Sequence, residues 1–98
     1  MRTVTIGGVE YKLAYNLRSL FIYEEIAGHP YKGEKTIDSY ILLFSMLQAN
    51  NEDFSMTFDE FINACDEDMG IFQAFALVLE DYSKRFSYVE NKKKAVTQ

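Results

Sequence analysis

A Gly-Gly pair near the N-terminus limits the folds open to this chain more than any other feature. Residues 3–6 before it and residues 9–13 after it alternate apolar and polar side chains, which is typical of strands with one buried face. Glycine takes positive φ without steric cost, so Gly7 and Gly8 suit the two-residue turn that joins antiparallel strands. The sequence therefore predicts a β-hairpin over residues 3–13.

This turn also predicts the register of the hairpin. It pairs Ile6 with Val9 and places the apolar side chains on one face of the two strands. The predicted cross-strand pairs are Ile6 with Val9, Val4 with Tyr11, and Arg2 with Leu13. An isolated hairpin is only marginally stable in water, so helices are expected to cover this face.

Two helices are predicted after the hairpin. The first follows Asn16, which can cap a helix N-terminus, and ends at Gly28, which suits a left-handed C-terminal residue. The second begins near Thr36 or Asp38 and runs to Ala49. It is apolar nearly all round in its middle, which is typical of a buried central helix.

Two further helices are predicted in the second half of the chain. Thr57 and Glu60 have the spacing of a capping box, and the short helix that they start should end around residues 66–68. The acidic residues there suit the opening of a last helix from Met69 to about Tyr88. The sequence thus predicts an α+β fold, in which a two-stranded antiparallel hairpin packs on a bundle of about four helices.

The length of 98 residues corresponds to one domain. Residues 1–90 are expected to form it. Residues 91–98, with three consecutive lysines, are expected to be a flexible basic tail.

Charge is distributed unevenly along the chain. Residues 36–81 contain ten acidic side chains and no Lys or Arg, whereas residues 82–98 contain five basic side chains and one acidic one. An acidic middle argues against nucleic-acid binding by the folded body and suits a basic protein partner or contact between copies of the chain. The same charges could equally serve solubility on helix exteriors, and the sequence leaves both interpretations open.

The last helix carries a candidate surface for partner binding or self-association. Its apolar residues alternate steps of three and four, which is a heptad pattern. The predicted partner-binding residues are these apolar ones together with the acidic cluster before the helix: Phe72, Phe75, Leu79, Tyr82, Phe86, Val89, Asp66, Glu67 and Asp68. We number this last predicted helix, from Met69 to about Tyr88, α4 and call its six apolar residues the α4 seam.

No catalytic, cofactor-binding or metal-binding residues are predicted. Glu60 could imitate the last ligand of an EF-hand loop, but Ala49 and Phe54 would then stand where the loop needs a carboxylate and a glycine. His29 is the one histidine and has no ligand or nucleophile at a recognisable spacing. Cys65 lies on an apolar stripe, where a buried structural thiol is expected.

Cysteine content and hydropathy indicate the compartment. With Cys65 as the one cysteine, an intrachain disulfide is impossible, whereas small secreted domains usually depend on such bridges. The strand pattern follows Met1 and Arg2 directly, so no signal peptide is predicted. The longest apolar stretch, residues 40–47, is too short to span a membrane. A cytoplasmic protein without membrane association is expected.

Four segments together resemble the tail assembly chaperones of long-tailed bacteriophages, which are encoded by phages and prophages. The segments are residues 9–13 (VEYKL), 16–20 (NLRSL), 23–28 (YEEIAG) and 57–61 (TFDEF). The resemblance covers residues 1–80 and is carried by apolar spacing and helix caps.

The resemblance implies a non-structural protein that coats the tape-measure protein during tail assembly in the bacterial host cell. It also implies self-association, and a longer form made by ribosomal frameshifting, and no catalytic residues. The alternative is a small acidic regulatory or inhibitory protein, such as a DNA mimic, that binds a basic partner. A mimic needs carboxylates arrayed like phosphates, whereas several acids here have the positions of helix caps.

Overall fold

The computed structural model describes the backbone of residues 1–97 and the side chains of residues 1–84. Two strands are followed by four helices: β1 (Arg2–Ile6), β2 (Val9–Leu13), α1 (Leu17–Ala27), α2 (Thr36–Asn50), α3 (Phe58–Glu67) and α4 (Gly70–Thr97). The predicted α+β fold with an N-terminal antiparallel hairpin is therefore confirmed. The predicted basic tail falls where no side chain is described, so its flexibility stays a prediction.

The hairpin has the predicted turn and register. Gly7 and Gly8 have φ values of 59° and 82°, so both central residues adopt the positive φ that a primed turn requires. Ile6 pairs with Val9, and the other predicted pairs follow in the same register.

One face of the hairpin is buried, but not over its whole length. Val4, Ile6 and Leu13 are at most 5% exposed, and Tyr11 packs its ring edge-on against Phe54. Val9 pairs with Ile6 and so lies on the same face, but it is 52% exposed, so the expected cover does not extend to the turn. The end of α2 contacts β2 at Lys12, where Asn51 accepts a hydrogen bond from the Lys12 N–H. Lys12 is three residues beyond Val9, or about 10 Å along the strand at about 3.4 Å per residue.

Helix α1 begins and ends as predicted. The Asn16 side chain accepts a hydrogen bond from the Ser19 backbone N–H at 2.9 Å, and Gly28 is left-handed with φ 79°. The Gly28 N–H then donates to the Glu24 carbonyl at 2.9 Å, which closes the last turn.

Helix α2 is the centre of the fold. Its residues 42–47 are buried without interruption, which confirms the prediction of a central helix. The core around it is formed by side chains from every other element: Val4, Ile6, Leu13, Tyr23, Phe61, Cys65, Ile71, Phe75 and Val78.

Two asparagines at the end of α2 attach the helix to β2. The Asn51 amide donates to the Lys12 carbonyl and accepts from the Lys12 N–H, both at 2.8 Å, so it pairs with β2 as another strand would. Asn50 donates to the Ala14 carbonyl at 3.1 Å and accepts from the Asn16 side chain at 3.0 Å. Together they fix the hairpin and the start of α1 on the end of α2.

Helices α3 and α4 start with the expected side-chain caps. Thr57 and Glu60 exchange hydrogen bonds of 2.9 and 3.1 Å, and the bond from the Thr57 N–H lowers the pKa of the Glu60 carboxyl. The Asp68 carboxylate accepts from the Gly70 N–H at 2.8 Å. Helix α4 therefore begins one residue later than predicted, and its backbone is helical to Thr97, beyond the predicted end near Tyr88.

The hairpin face gives the first testable prediction. Replacing Ile6 with Asp puts a carboxylate into the core, so the free energy of unfolding should fall by about 3 kcal/mol or more. Thr3→Asp is the matched control, because Thr3 is exposed on the opposite face of β1 and stands across from Lys12, so it should change stability by about 1 kcal/mol or less. Urea denaturation measures both, and equal effects would contradict the described packing.

A second prediction concerns the attachment of α2 to β2. Asn51→Ala removes two hydrogen bonds to the Lys12 backbone and should lower the free energy of unfolding by about 1–3 kcal/mol. Gln48→Ala, on the exposed side of the same helix, should be close to neutral. Amide hydrogen exchange supplies the specific readout, since only Asn51→Ala should accelerate exchange of the Lys12 amide.

Candidate protein-binding site

The described part of the α4 seam lies within the chain's own packing. Phe75 is fully buried, and Phe72 and Leu79 are half-buried against the core. Tyr82 is 39% exposed and contacts the Tyr15 ring at a centroid distance of 4.3 Å. The side chains of Phe86 and Val89 lie outside the described residues, so the seam's binding role stays a prediction.

The side of α4 that the core buries is displaced from the predicted seam. Ile71, Phe75 and Val78 are at most 6% exposed, and Phe75 alone belongs to both sets. Strand β1 packs against α4, and its Arg2 forms an ion pair with Asp81 at 2.6 Å. The Asp81 hydrogen bond raises the pKa of the Arg2 guanidinium.

The ten acidic side chains of residues 36–81 divide into two groups. Five have structural partners: Asp38 beside His29, Glu60 and Asp68 at helix starts, Glu80 with Lys84, and Asp81 with Arg2. The other five, Glu52, Asp53, Asp59, Asp66 and Glu67, are exposed. Three of the exposed five lie on α3, so the acidic surface is concentrated on that helix.

A groove runs between the first turns of α2 and the outer side of α3. Its volume is about 610 Å³. Its lining is mostly apolar, with two aspartates on the α3 side: Thr36, Ile37, Tyr40, Phe58, Asp59, Ile62, Cys65 and Asp66. We call this the α2–α3 groove. Ile37 is 54% exposed, so a large apolar side chain faces solvent at its edge.

Aromatic contacts support both walls of the groove. The Tyr40 ring on the α2 side packs on Phe72 of α4 at 5.2 Å. The Phe58 ring on the α3 side meets Phe44 edge-on at 5.4 Å. Because Phe44 is itself buried, the Phe58 wall of the groove rests on the core.

The helical repeat of α3 explains how one helix supplies both core and groove. Residues seven apart lie nearly in line, and Phe58 with Cys65 and Asp59 with Asp66 are two such pairs. Phe61 and Cys65 are buried, the neighbouring Phe58 and Ile62 are half-buried, and Asp59 and Asp66 are exposed. The apolar stripe of α3 is therefore wider than the core can cover, and its outer part lines the groove.

Cys65 lies at the base of the groove and is 8% exposed. Burial, followed by the charges of Asp66 and Asp68, raises the pKa of its thiol to about 11. A thiol with this pKa stays protonated at neutral pH and is a poor nucleophile. Its position supports a structural role.

A second titratable side chain, Tyr23 of α1, lies beside His29 and Asp38. The His29 ring nitrogen Nε2 is 3.7 Å from the Asp38 carboxylate, and the Tyr23 ring packs edge-on against His29. The Tyr23 hydroxyl is buried beside Asp38 and makes no well-formed hydrogen bond among the described side chains. Burial and the Asp38 carboxylate raise the pKa of Tyr23 to about 12, so the phenol stays neutral at physiological pH.

Within the described residues, no three His, Cys, Asp or Glu side chains are grouped as metal ligands. No described helix combines the length and hydrophobicity needed to cross a bilayer. No protein-family model matches the chain, and comparisons with curated proteins and with solved structures give no significant match.

Of the predicted partner-binding residues, the structure places Asp66 at the groove and the described α4 seam elsewhere. Glu67 and Asp68 are exposed at the end of α3, and Phe72 supports the groove only from behind, through Tyr40. Sequence reasoning assigned the α3 stripe to the core and so missed the groove. The sequence did contain one signal for it, because Asp59 and Asp66 lie directly beside this apolar stripe on the helix surface.

The Cys65 thiol gives a third prediction. Its raised pKa and low exposure predict that alkylation of the folded protein by iodoacetamide at pH 8 is at least about tenfold slower than alkylation in urea. Mass spectrometry measures both rates. Equal rates would mean that the Cys65 thiol is accessible in the folded protein and that its pKa is not raised.

Proposed function

We propose that this chain is a non-catalytic assembly protein that binds the tape-measure protein of a long-tailed bacteriophage and keeps it in an assembly-competent state. The observation that carries the proposal is the α2–α3 groove, which offers apolar side chains and two aspartates on a well-supported wall. Surfaces that bind other proteins commonly combine an apolar centre with a polar rim.

The resemblance in sequence supplies the particular partner. Helix caps carry much of that resemblance, and Asn16, Gly28 and the Thr57–Glu60 pair serve as caps in this fold. The acidic surface of α3 adds support, because it would attract a basic partner segment and repel an acidic one.

Co-expression with the tape-measure protein of the same genome tests this function. The tape-measure protein should stay in the soluble fraction and co-elute with this chain in size-exclusion chromatography. An unrelated acidic protein of similar size is the control for a general effect of co-expression. If a correctly folded chain neither co-elutes with the tape-measure protein nor increases its soluble fraction, the proposed function is wrong.

A further inference from the structure

We infer that the α2–α3 groove binds an amphipathic helix of a partner protein, and that this helix carries two Lys or Arg residues about seven positions apart beside its apolar stripe. The inference deepens the proposed function and rests on it only in requiring a protein partner. It is argued from the groove's length, its lining and the spacing of its acidic residues.

The groove has the length and lining that helix recognition requires. The α3 residues that line the groove run from Phe58 to Asp66, which is about 12 Å at 1.5 Å per residue and matches about two turns of a partner helix. Ile37 and Tyr40 on one side and Phe58 and Ile62 on the other supply the apolar contacts. A helix that binds in such a groove inserts side chains spaced three and four residues apart.

The aspartates specify the charge of the partner helix. Asp59 and Asp66 are both exposed and line the groove. They are seven positions apart, so they lie two turns apart on one side of α3, about 10 Å along its axis. Basic residues seven apart on a partner helix lying along α3 would have the same spacing, and each could face one aspartate.

The surroundings favour a basic occupant over an acidic one. Residues 36–81 contain no Lys or Arg that could compete for these carboxylates, and Lys35, just before Thr36, does not line the groove. Charges at the rim of an interface mainly raise the association rate and make binding depend on salt. Binding should therefore weaken as ionic strength increases.

A synthetic helix tests the inference directly. The probe is a fluorescently labelled 14-residue peptide with Leu on one stripe and two Lys seven positions apart at its edge. The control peptide has Glu in place of both Lys. Fluorescence anisotropy at low and high salt should show binding of the Lys peptide, about tenfold or more weaker binding of the Glu peptide, and a loss of this difference at high salt.

Two pairs of matched variants locate the binding site. The Asp59→Lys, Asp66→Lys double variant should weaken binding of the Lys peptide about tenfold or more. The Glu24→Lys, Glu25→Lys control changes the net charge equally on the exposed side of α1 and should have less than about a twofold effect. Ile37→Ser should weaken binding, whereas Leu17→Ser should not, although both side chains are more than half exposed.

Alkylation of Cys65 gives an independent readout, because a helix in the groove covers its base and should slow the reaction.

Equal binding of the Lys and Glu peptides, or equal effects of the two double charge variants, would overturn the inference. Self-association of the chain that the Asp59→Lys, Asp66→Lys variant abolishes would identify a second copy as the occupant and would also overturn it.

The proposed function can fail separately from this inference. If the tape-measure protein co-elutes equally with the wild type and with the Asp59→Lys, Asp66→Lys variant, the groove is not its binding site, although the proposed function stands. If the Lys peptide binds the groove but the tape-measure protein does not bind the chain, the groove recognises another helical partner and the proposed function is wrong.

Discussion

The complete burial of α2 between residues 42 and 47 is the constraint on which the rest of the structure depends. A helix that is apolar on every side can be stable in water only if other elements surround it. The hairpin, α1, α3 and α4 together provide that cover. At the start of α2 the cover is incomplete, because Tyr40 is half-buried and Ile37 is exposed there. The α2–α3 groove is the consequence of this incomplete cover.

Features that neighbouring residues determine could be predicted from the sequence. The Gly7–Gly8 turn sets the hairpin register, and the Thr57–Glu60 capping box sets the start of α3, because both depend on interactions within a few residues. The contacts of Asn51 with Lys12 span 39 positions of sequence and have no local signal. Val9 shows the same limit: alternation places its side chain on a face of the hairpin, but the positions of the helices determine whether that face is covered there.

The two sets of apolar residues on α4 show why the binding surface was harder to predict than the fold. Two sets of residues on α4 follow a heptad spacing: Phe72, Phe75 and Leu79, and Ile71, Phe75 and Val78. The sets share Phe75, and their other members are neighbours in sequence. Spacing alone cannot decide between adjacent stripes of one helix. The core buries the second stripe most completely. The groove was missed for a related reason, since Phe58 and Ile62 have core spacing and yet remain half-buried at the outer edge of the stripe.

The character of the groove also bears on how an assembly chaperone would work. Such a protein must release its client when the client's structural partners arrive, so it requires binding that is selective and reversible. A groove one short helix in length buries limited apolar area, and association itself costs several kcal/mol, so the net affinity is modest. Charges at its rim raise the association rate, and repulsion between like charges discriminates against the wrong partner. Asp59 and Asp66 are exposed and therefore belong to this class of charge. A groove with an apolar floor and exposed acidic residues would thus favour rapid, reversible binding of a basic helical segment over permanent assembly with it.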